Sequence, residues 1–288
     1  MSESKKAYKR LVLSGGSIKG VAYIGALKFM EEHRETFYKI DEFVGTSIGA
    51  LMCLLIVLNY SSKELKDIFW ELDFNNVKDF SFKCLLEHFG LDKGDKVEAL
   101  VKKFITDKKL NEDITIQELY NITGKSLVCC ATDINSKTTI YLDKETCGSV
   151  PVHLAVRASM NIPLVFAPII YKGRMLVDGA LTNDIPVSYD NPFNNKVLCL
   201  CLDSSQQVSG EIKGLEEYIS TVVKVFLRSI NSMNKELAKT LNVELIEIKT
   251  GIETSMDFAL SNEEKEEIYS IGYQALKDKF VIYLNADC

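Results

Sequence analysis

A serine flanked by two glycines is the strongest chemical signal in the sequence. Gly45-Thr46-Ser47-Ile48-Gly49 matches the pattern G-x-S-x-G and lies between a strand-like and a helix-like segment. A nucleophilic serine needs its Oγ at the tip of a sharp turn, and flanking glycines remove the Cβ atoms that would clash there. The following helix would direct its N–H groups and positive dipole end toward a reacting carbonyl. The pattern favours Ser47 as a nucleophile, and an ordinary N-cap serine is the alternative.

A glycine-rich turn near the N-terminus is the second signal. Ser14-Gly15-Gly16-Ser17-Ile18-Lys19-Gly20 lies directly after a strand-like segment and before a helix-like one. Consecutive glycines let successive backbone N–H groups point into one concavity. The segment is not a Walker loop, because Lys19 is followed by Gly20, and it does not match G-x-G-x-x-G. Since two or three N–H donors are enough to hold a transient alkoxide, the turn is a candidate oxyanion hole. A phosphate cradle or a purely structural turn is the alternative.

A nucleophilic serine needs a base, and the histidines of this chain are poorly placed for that role. The sequence contains three of them, at His33, His88 and His153. In a Ser…Asp…His order the histidine follows the acid late in the chain, but no histidine follows position 153. We expect His33 and His88 to be solvated helix positions. A carboxylate is therefore the expected base.

Asp178 is the best candidate for that carboxylate. It ends the apolar run Met175-Leu176-Val177 and is followed by Gly179, which would put its carboxylate at a sheet edge beside a turn. A turn-forming aspartate without catalytic function is the alternative. Asp184 and Asp203 are weaker candidates for the base.

Several of these segments, in this order, resemble the motifs of the patatin-like phospholipase family. Leu11–Gly20 resembles the glycine-rich oxyanion loop of the family, and Gly45–Ala50 resembles its nucleophile elbow. Arg157–Pro163 resembles the stretch before the catalytic aspartate, and Asp178-Gly179-Ala180 resembles the Asp-Gly-Ala/Gly motif. Asn183 and Pro186 follow in the style of the family, and the resemblance covers about Lys9 to Val187.

The resemblance implies a role for individual residues. Ser47 would be the nucleophile and Asp178 the base. The oxyanion hole would consist of backbone N–H groups of Gly15, Gly16, Ser17 and Ile48, with Gly45 and Gly49 shaping the elbow and Lys19 and Gly20 supporting the loop. Ser17 stands where the family usually has a third glycine, and its N–H remains a donor there if it does not need a positive φ. Ile48 is bulkier than the usual residue and is expected to narrow the acyl site.

The elements that must position these residues alternate along the chain. A repeated order of short strand, glycine turn and helix is typical of a parallel sheet with crossover helices. Strands are predicted at 9–13, 40–44, 126–133, 138–143, 175–177, 196–203 and 243–249. Helices are predicted at 19–35, 47–59, 150–160 and 262–279, with others beginning near 62 and 115, and 214–241 is expected to form one long helix or a pair. We expect one α/β domain, 1–288, and the resemblance implies a three-layer α/β/α patatin-like fold with a mainly parallel central sheet.

Composition and charge exclude several classes of protein. The 288 residues are 47% apolar and 26% charged, as is typical of a globular chain. With 34 basic and 40 acidic residues the net charge is −6, so nucleic acid is not expected as a partner. The most apolar stretch is the eleven residues 48–58, whereas a membrane-spanning helix needs about 20. The polar N-terminus does not have the pattern of a secretory signal.

The cysteines indicate a reducing compartment. Several of the eight lie in apolar strand-like runs, where a reduced cysteine acts as a small hydrophobic residue. None has a spacing typical of metal ligands. We therefore expect free thiols in the cytoplasm and no metal site, with four disulfides as the alternative.

The resemblance implies a lipid acyl hydrolase of the phospholipase A type without a cofactor. Its substrate would be a phospholipid or another acyl lipid, reached through transient contact with a membrane surface. At net charge −6 that contact would depend on apolar side chains. Phenylalanines in 80–89 are candidates for it, although we favour a buried helical face for them. The alternatives are a catalytically silent scaffold that binds lipid or a protein partner, and a soluble carboxylesterase or lysophospholipase. The oligomeric state stays open.

Overall fold

Strands and helices alternate along the chain. The computed structural model describes residues 7–72, 81–190, 196–203, 212, 214–241, 243–251 and 260–285. The strands are β1 (Tyr8–Leu13), β2 (Glu42–Thr46), β3 (Gly90–Asp92), β4 (Ser126–Asp133), β5 (Thr138–Leu142), β6 (Leu164–Phe166), β7 (Ile169–Tyr171), β8 (Arg174–Asp178), β9 (Lys196–Asp203) and β10 (Val243–Lys249). The helices are α1 (Val21–Glu32), α2 (Arg34–Phe37), α3 (Ile48–Val57), α4 (Ser62–Glu71), α5 (Phe82–His88), α6 (Asp95–Asp107), α7 (Ile116–Thr123), α8 (Lys144–Cys147), α9 (Val152–Ser159), α10 (Leu215–Thr240) and α11 (Asn262–Asn285).

The central sheet is mainly parallel, as predicted. Its order is β10-β9-β1-β2-β4-β8-β7, and β5 also pairs with β4. The first five strands of this order run parallel, whereas β5, β7 and β8 join through antiparallel pairs. Strands β3 and β6 form a separate parallel pair. Because β1 and β2 lie in the centre, the turns that follow them meet at one edge of the sheet.

Both faces of the sheet are covered. Successive side chains of a strand point to opposite faces, so Leu11 and Leu13 join one core while Val12 joins the other. The larger core also contains side chains of α1, α3, α9 and α11. The second core contains Ala238 of α10 and Ile185 from the chain after β8. Helices on both faces of a buried sheet confirm the three-layer α/β/α prediction.

The long elements agree best with the sequence-based prediction. Strands β4, β9 and β10 have the predicted bounds, and the β4–β5 hairpin is confirmed. Segment 214–241 forms the single helix α10, whereas the helix predicted at 19–35 is divided into a 3₁₀ turn, α1 and α2. Strands β3, β6 and β7 were not predicted, because three residues are too few for a periodic pattern.

The C-terminal helix α11 packs directly onto α1 through two glycines. A Cβ on Gly25 would overlap the carbonyl oxygen of Tyr269, and a Cβ on Gly272 would overlap that of Ala22. The two backbones therefore approach more closely than larger residues would allow. As a result, the C-terminal part of the chain fixes the helix that follows the glycine-rich turn.

Cysteines, possible metal ligands and long apolar helices can be located among the described residues. The seven cysteines among them are free, and Cys288 lies outside the described residues. Within the same residues, no group of three or more histidine, cysteine, aspartate or glutamate side chains is arranged to hold a metal ion. None of the helices described is both long and apolar enough to cross a bilayer.

Candidate active site

Ser47 lies at the turn between β2 and α3, as the sequence pattern predicts. Its φ of 56° and ψ of −125° are values that residues other than glycine rarely adopt. Such a conformation costs about 1–3 kcal/mol and persists only where the surrounding structure enforces it. Here the N–H of Ser47 donates a 2.9 Å hydrogen bond to Ser159 Oγ. The turn is thus held in the shape of a nucleophile elbow.

Two glycines allow the elbow to pack tightly. A Cβ on Gly45 would overlap the backbone of Gly49, and a Cβ on Gly49 would overlap the carbonyl oxygen of Leu13 on β1. Any larger residue would push α3 away from the sheet. The glycines of the G-x-S-x-G pattern are therefore required by close backbone contact.

Asp178, the last residue of β8, lies beside Ser47. The Ser47 hydroxyl is close enough to the Asp178 carboxylate to stabilise its charge, and Asp178 Oδ1 accepts a 2.9 Å hydrogen bond from Ala180 N–H. The Asp178 side chain is buried, and this burial raises the pKa of its carboxyl to about 7. A carboxylate with a pKa near neutrality is well suited to accept and return a proton at neutral pH.

The other candidate bases contact different partners. Asp184 lies against the glycine-rich turn, and Asp203 Oδ1 is 3.3 Å from Lys235 Nζ. His33 stacks on Phe29, and His153 lies 3.1 Å from Asp113. His88 is exposed at the end of α5. Of the carboxylates and histidines that the structure describes, Asp178 is the one whose charge the Ser47 hydroxyl stabilises.

The stretch before Asp178 positions its backbone. Asp178 N–H donates a 2.9 Å hydrogen bond to the carbonyl oxygen of Asn161. The Asn161 side chain accepts a hydrogen bond from Arg157, which is fully buried on α9. Arg157 also donates to the carbonyl oxygens of Lys93 at 2.8 Å and Gly94 at 3.1 Å. The segment that resembled the family motif therefore joins the acid to the start of α6, a function that its sequence alone did not reveal.

The glycine-rich turn lies beside the elbow but presents fewer donors than expected. The N–H of Gly15 is donated to Asp184, to its carbonyl oxygen at 3.3 Å and to Oδ1 at 3.1 Å. This N–H is therefore not free for an oxyanion, which corrects the sequence-based assignment. Within the described residues, the backbone N–H groups of Gly16, Ser17 and Ile48 have no hydrogen-bond acceptor. Ile48 begins α3, where backbone N–H groups have no partner inside the helix.

Ser17 has a φ of 54°, so the expectation that it avoids a positive φ is wrong, although its N–H has no acceptor among the described residues and stays available as a donor. A left-handed conformation is uncommon for residues with a side chain, although serine can adopt it at moderate cost. Ser17 begins the 3₁₀ turn that leads into α1. Its side chain thus occupies a position at which glycine would be less strained.

Gly20 and Lys19 join the turn to its surroundings. A Cβ on Gly20 would overlap Ile48 Cγ1, so the bulky Ile48 packs against the glycine-rich turn. Lys19 is buried, and this burial lowers the pKa of its ammonium group, which faces Asp184 and Asp203. Both residues of the expected supporting loop are therefore in contact with the site.

Phe89 was expected on a buried helical face, and that expectation is wrong. Its side chain is 62% exposed, and its φ of 64° ends α5 in the left-handed conformation. This turn directs the side chain away from the helix. Phe80 lies outside the described residues.

The protein is a three-layer α/β protein with the geometry of a nucleophile elbow. Its candidate site combines a serine at a strained strand-to-helix turn, a buried aspartate beside it and a neighbouring glycine-rich turn. The family model of the patatin-like phospholipases matches residues 11–190. The chain therefore belongs to the patatin-like phospholipase family.

The chain is also similar to individual proteins. An uncharacterized protein of Acanthamoeba polyphaga mimivirus is 26% identical over 293 residues, which cover 98% of this chain and 97% of that protein. A probable lipid hydrolase of Invertebrate iridescent virus 6 is 29% identical over 196 residues, which cover 66% of each chain. The crystal structure of VipD from Legionella pneumophila superposes with a TM-score of 0.66 at 14% identity, covering 95% of this chain and 68% of that one. The similarity to VipD is a similarity of fold.

Proposed function

We propose that this protein is a lipid acyl hydrolase that cleaves a fatty-acyl ester of a phospholipid with Ser47 and Asp178. The observation that carries the proposal is that the Ser47 hydroxyl, at the tip of the elbow, lies close enough to the buried Asp178 carboxylate to stabilise its charge. Membership of the patatin-like phospholipase family supports an acyl lipid as the substrate. We further propose that residues 1–288 act as one domain, since β9 and β10 extend the sheet that carries the elbow.

The first half of the proposed reaction transfers the acyl group to the protein. Asp178 takes the proton of Ser47 Oγ as this oxygen attacks the ester carbonyl. The resulting alkoxide would lie near the N–H groups of Gly16, Ser17 and Ile48, which act as its hydrogen-bond donors. When the tetrahedral intermediate collapses, the alcohol leaves with the proton from Asp178, and the fatty-acyl group stays on Ser47.

The second half releases the fatty acid. Asp178, again ionised, takes a proton from water, and the hydroxide attacks the acyl carbonyl. The same N–H groups stabilise the second alkoxide. Collapse returns the proton to Ser47 Oγ and frees the carboxylic acid. Nucleophile, base and electrostatic stabilisation all come from the protein, so the reaction needs no added cofactor.

A fluorophosphonate probe tests the proposal, because it reacts with an activated serine. We expect an adduct that mass spectrometry maps to Ser47 in the wild type, and loss of labelling in Ser47→Ala and Asp178→Asn. Ser232→Ala and Asp67→Asn, which change exposed side chains away from the site, serve as matched controls and should label like the wild type. Labelling that persists in Ser47→Ala would refute the assignment.

The substrate class is tested separately. Long-chain phospholipid vesicles and a short-chain ester should be compared with the same variants, and faster hydrolysis of the vesicle lipid is expected. Preference for the short-chain ester would indicate a soluble carboxylesterase instead. Absence of labelling and of hydrolysis, both in buffer and with mixed micelles, would indicate a catalytically silent scaffold.

A further inference from the structure

We propose that helix α10 is part of the active site, because Asn231 on this helix holds Asp184, and Asp184 in turn sets the orientation of the glycine-rich turn. Asp184 and Asn231 would act as positioning residues, without contact to the substrate. The inference rests on the proposed function for its kinetic consequences, whereas the contacts themselves can be tested without any activity.

The two oxygens of the Asp184 carboxylate have different partners. Oδ1 accepts a 3.1 Å hydrogen bond from Gly15 N–H, and Oδ2 accepts one of 2.5 Å from Asn231 Nδ2. The carbonyl oxygen of Asp184 also accepts from Gly15 N–H, at 3.3 Å. One side chain therefore links α10 on one face of the sheet to the turn that follows β1.

Gly15 and Asp184 fit each other closely. A Cβ on Gly15 would overlap Asp184 Oδ1 on one side and lie 3.4 Å from Ser47 Cβ on the other. The backbone of Gly15 is therefore held between the carboxylate and the nucleophile. A displacement of Asp184 would move this backbone relative to Ser47.

The other side of the turn has its own anchor. Ser14 N–H donates a 3.1 Å hydrogen bond to the carbonyl oxygen of Leu200 on β9, and Ser14 Oγ accepts one of 3.0 Å from Leu202 N–H. With Ser14 fixed to β9, the direction in which the next N–H groups point depends on Gly15. Its bond to Asp184 thus decides where the donors of Gly16 and Ser17 are aimed.

The environment of Asp184 makes the loss of this contact costly. The side chain is buried, and burial raises the pKa of its carboxyl to about 6. The charged groups around it are Lys19 from the 3₁₀ turn, Asp178 from β8 and Lys235 from α10. Asp203 of β9 lies beside Lys19 and Lys235, and Arg228 of α10 acts on Lys19. A buried carboxylate is expensive unless it is hydrogen bonded, so Asn231 and Gly15 are essential partners.

Asn231 lies outside the part of the chain that matches the family model, residues 11–190. The motif-bearing segment would therefore lack the side chain that holds Asp184 against its glycine-rich turn if α10 were not packed against it. This gives the C-terminal part of the chain a specific function in the site, in addition to its packing against the sheet.

The kinetic test uses three variants in the full chain. Asp184→Ala and Asn231→Ala should lower kcat by about tenfold to a hundredfold with little change in KM, because small displacements of oxyanion donors have effects of this size. Asp184→Asn keeps an acceptor for Gly15 N–H, and the Asn231 amide can turn to accept from its new NH₂ group. It should therefore retain kcat within about threefold. Ser232→Ala, exposed on the same helix, should behave as the wild type.

A pH profile separates this role from a general loss of packing. The charge of Asp184 raises the pKa of Asp178, so Asp184→Asn should move the acid limb of kcat/KM to lower pH. A variant that only loosened the fold would leave that limb in place. An unchanged limb, or equal kcat values in Asn231→Ala and Ser232→Ala, would overturn the inference.

Amide hydrogen exchange tests the contacts independently of turnover. We expect residues 14–20 to exchange faster in Asn231→Ala than in Ser232→Ala, both measured on protein whose thermal unfolding is cooperative. Equal exchange would overturn the inference even if the enzyme is active. Faster exchange in a protein that shows no hydrolysis would support the contact while the proposed function fails.

Discussion

The Ser159 hydroxyl joins the nucleophile elbow to the strand next to it. Ser159 Oγ accepts a 2.9 Å hydrogen bond from Ser47 N–H, and the same hydroxyl donates one of 2.6 Å to the carbonyl oxygen of Cys130 on β4. All three residues are buried. A single oxygen atom therefore holds the strained backbone of Ser47 against both α9 and the sheet.

Replacing this hydroxyl should affect both stability and rate. In Ser159→Ala, Ser47 N–H and the Cys130 carbonyl lose their buried partner, so the free energy of unfolding should fall by about 1–3 kcal/mol. The kcat should fall as well, because Ser47 is less firmly oriented. Denaturant titration and steady-state kinetics measure the two effects. Ser270→Ala, an exposed serine on α11, is the control, and an unfolding free energy equal to that of the control would contradict the prediction.

The rate should depend on the ionisation of Asp178. Since burial raises the pKa of this carboxyl to about 7, kcat/KM should increase with pH and reach half its maximum near pH 7. The carboxylate accepts the Ser47 proton only when it is ionised. A pH–rate profile on a soluble ester measures the midpoint, with Asp67→Asn as the control. A midpoint near the ordinary aspartate value would show that Asp178 does not act as the base.

The same shift of the Asp178 pKa predicts how stability changes with pH. In the folded state the carboxyl keeps its proton up to about pH 7, whereas in the unfolded chain it ionises near 3.8. The folded state binds more protons between these values, so this group makes stability fall as pH rises through that window. Asp178→Asn removes the effect. At pH 8 this variant should be more stable than the wild type, by at most about 4 kcal/mol.

The stability prediction is checked by denaturant unfolding at pH 3 and pH 8. The excess stability of Asp178→Asn should be present at pH 8 and disappear at pH 3, where both states are protonated. The exposed substitution Asp67→Asn should show no such difference. A variant that is less stable than the wild type at pH 8 would mean that the ionised carboxylate is well stabilised in the folded protein.

Gly20 and Ile48 should be coupled in their effect on stability. Gly20→Ala places a Cβ where Ile48 Cγ1 lies, so it should destabilise the fold, whereas in Ile48→Ala the obstacle is gone. A double-mutant cycle should give a coupling energy of about 1–3 kcal/mol. Val57→Ala, a buried change at the far end of α3, should be additive with Gly20→Ala. Additivity of the Gly20 and Ile48 changes would show that the turn does not pack on the elbow in this way.

Ser17→Gly should stabilise the protein slightly and keep its activity. The left-handed backbone of Ser17 strains a residue with a Cβ by about 1–2 kcal/mol, and glycine relieves this but costs roughly 0.5–1 kcal/mol of unfolded-state entropy. A net gain of up to about 1 kcal/mol is expected in thermal unfolding. Lys137→Gly, at an exposed left-handed position in the β4–β5 turn, is the matched control. A loss of stability in Ser17→Gly alone would show that the serine side chain contributes to the turn.

Much of the fold could be predicted because its long elements are encoded locally. The apolar runs that form β4, β9 and β10 are bounded by turn residues, and all three strands have the predicted bounds. Strands β3 and β6 differ in this respect. They form because Gly90 and Leu164, far apart in sequence, are brought side by side, and neither segment has a strand-like pattern of its own.

The candidate site divides in the same way. The positions of Ser47 and Asp178 follow from local patterns, a serine between glycines and an aspartate after a short apolar run, and from their order along the chain. Their proximity, and the burial that raises the pKa of Asp178, arise only when β2, β4 and β8 assemble. The family resemblance also implied Gly15 among the oxyanion donors, whereas the fold gives its N–H to Asp184.

Local sequence specifies which residues carry reactive groups and which turns are narrow enough to present them, because side-chain chemistry and glycine's small size act over a few residues. Which of these groups meet depends on how the strands and helices pack. Only folding could show that Ser159 fixes the elbow, that Asp184 holds Gly15, and that Asn231 reaches Asp184 from α10. Hydrogen bonds require partners within about 3 Å, and residues distant in sequence come that close only through packing of the whole chain.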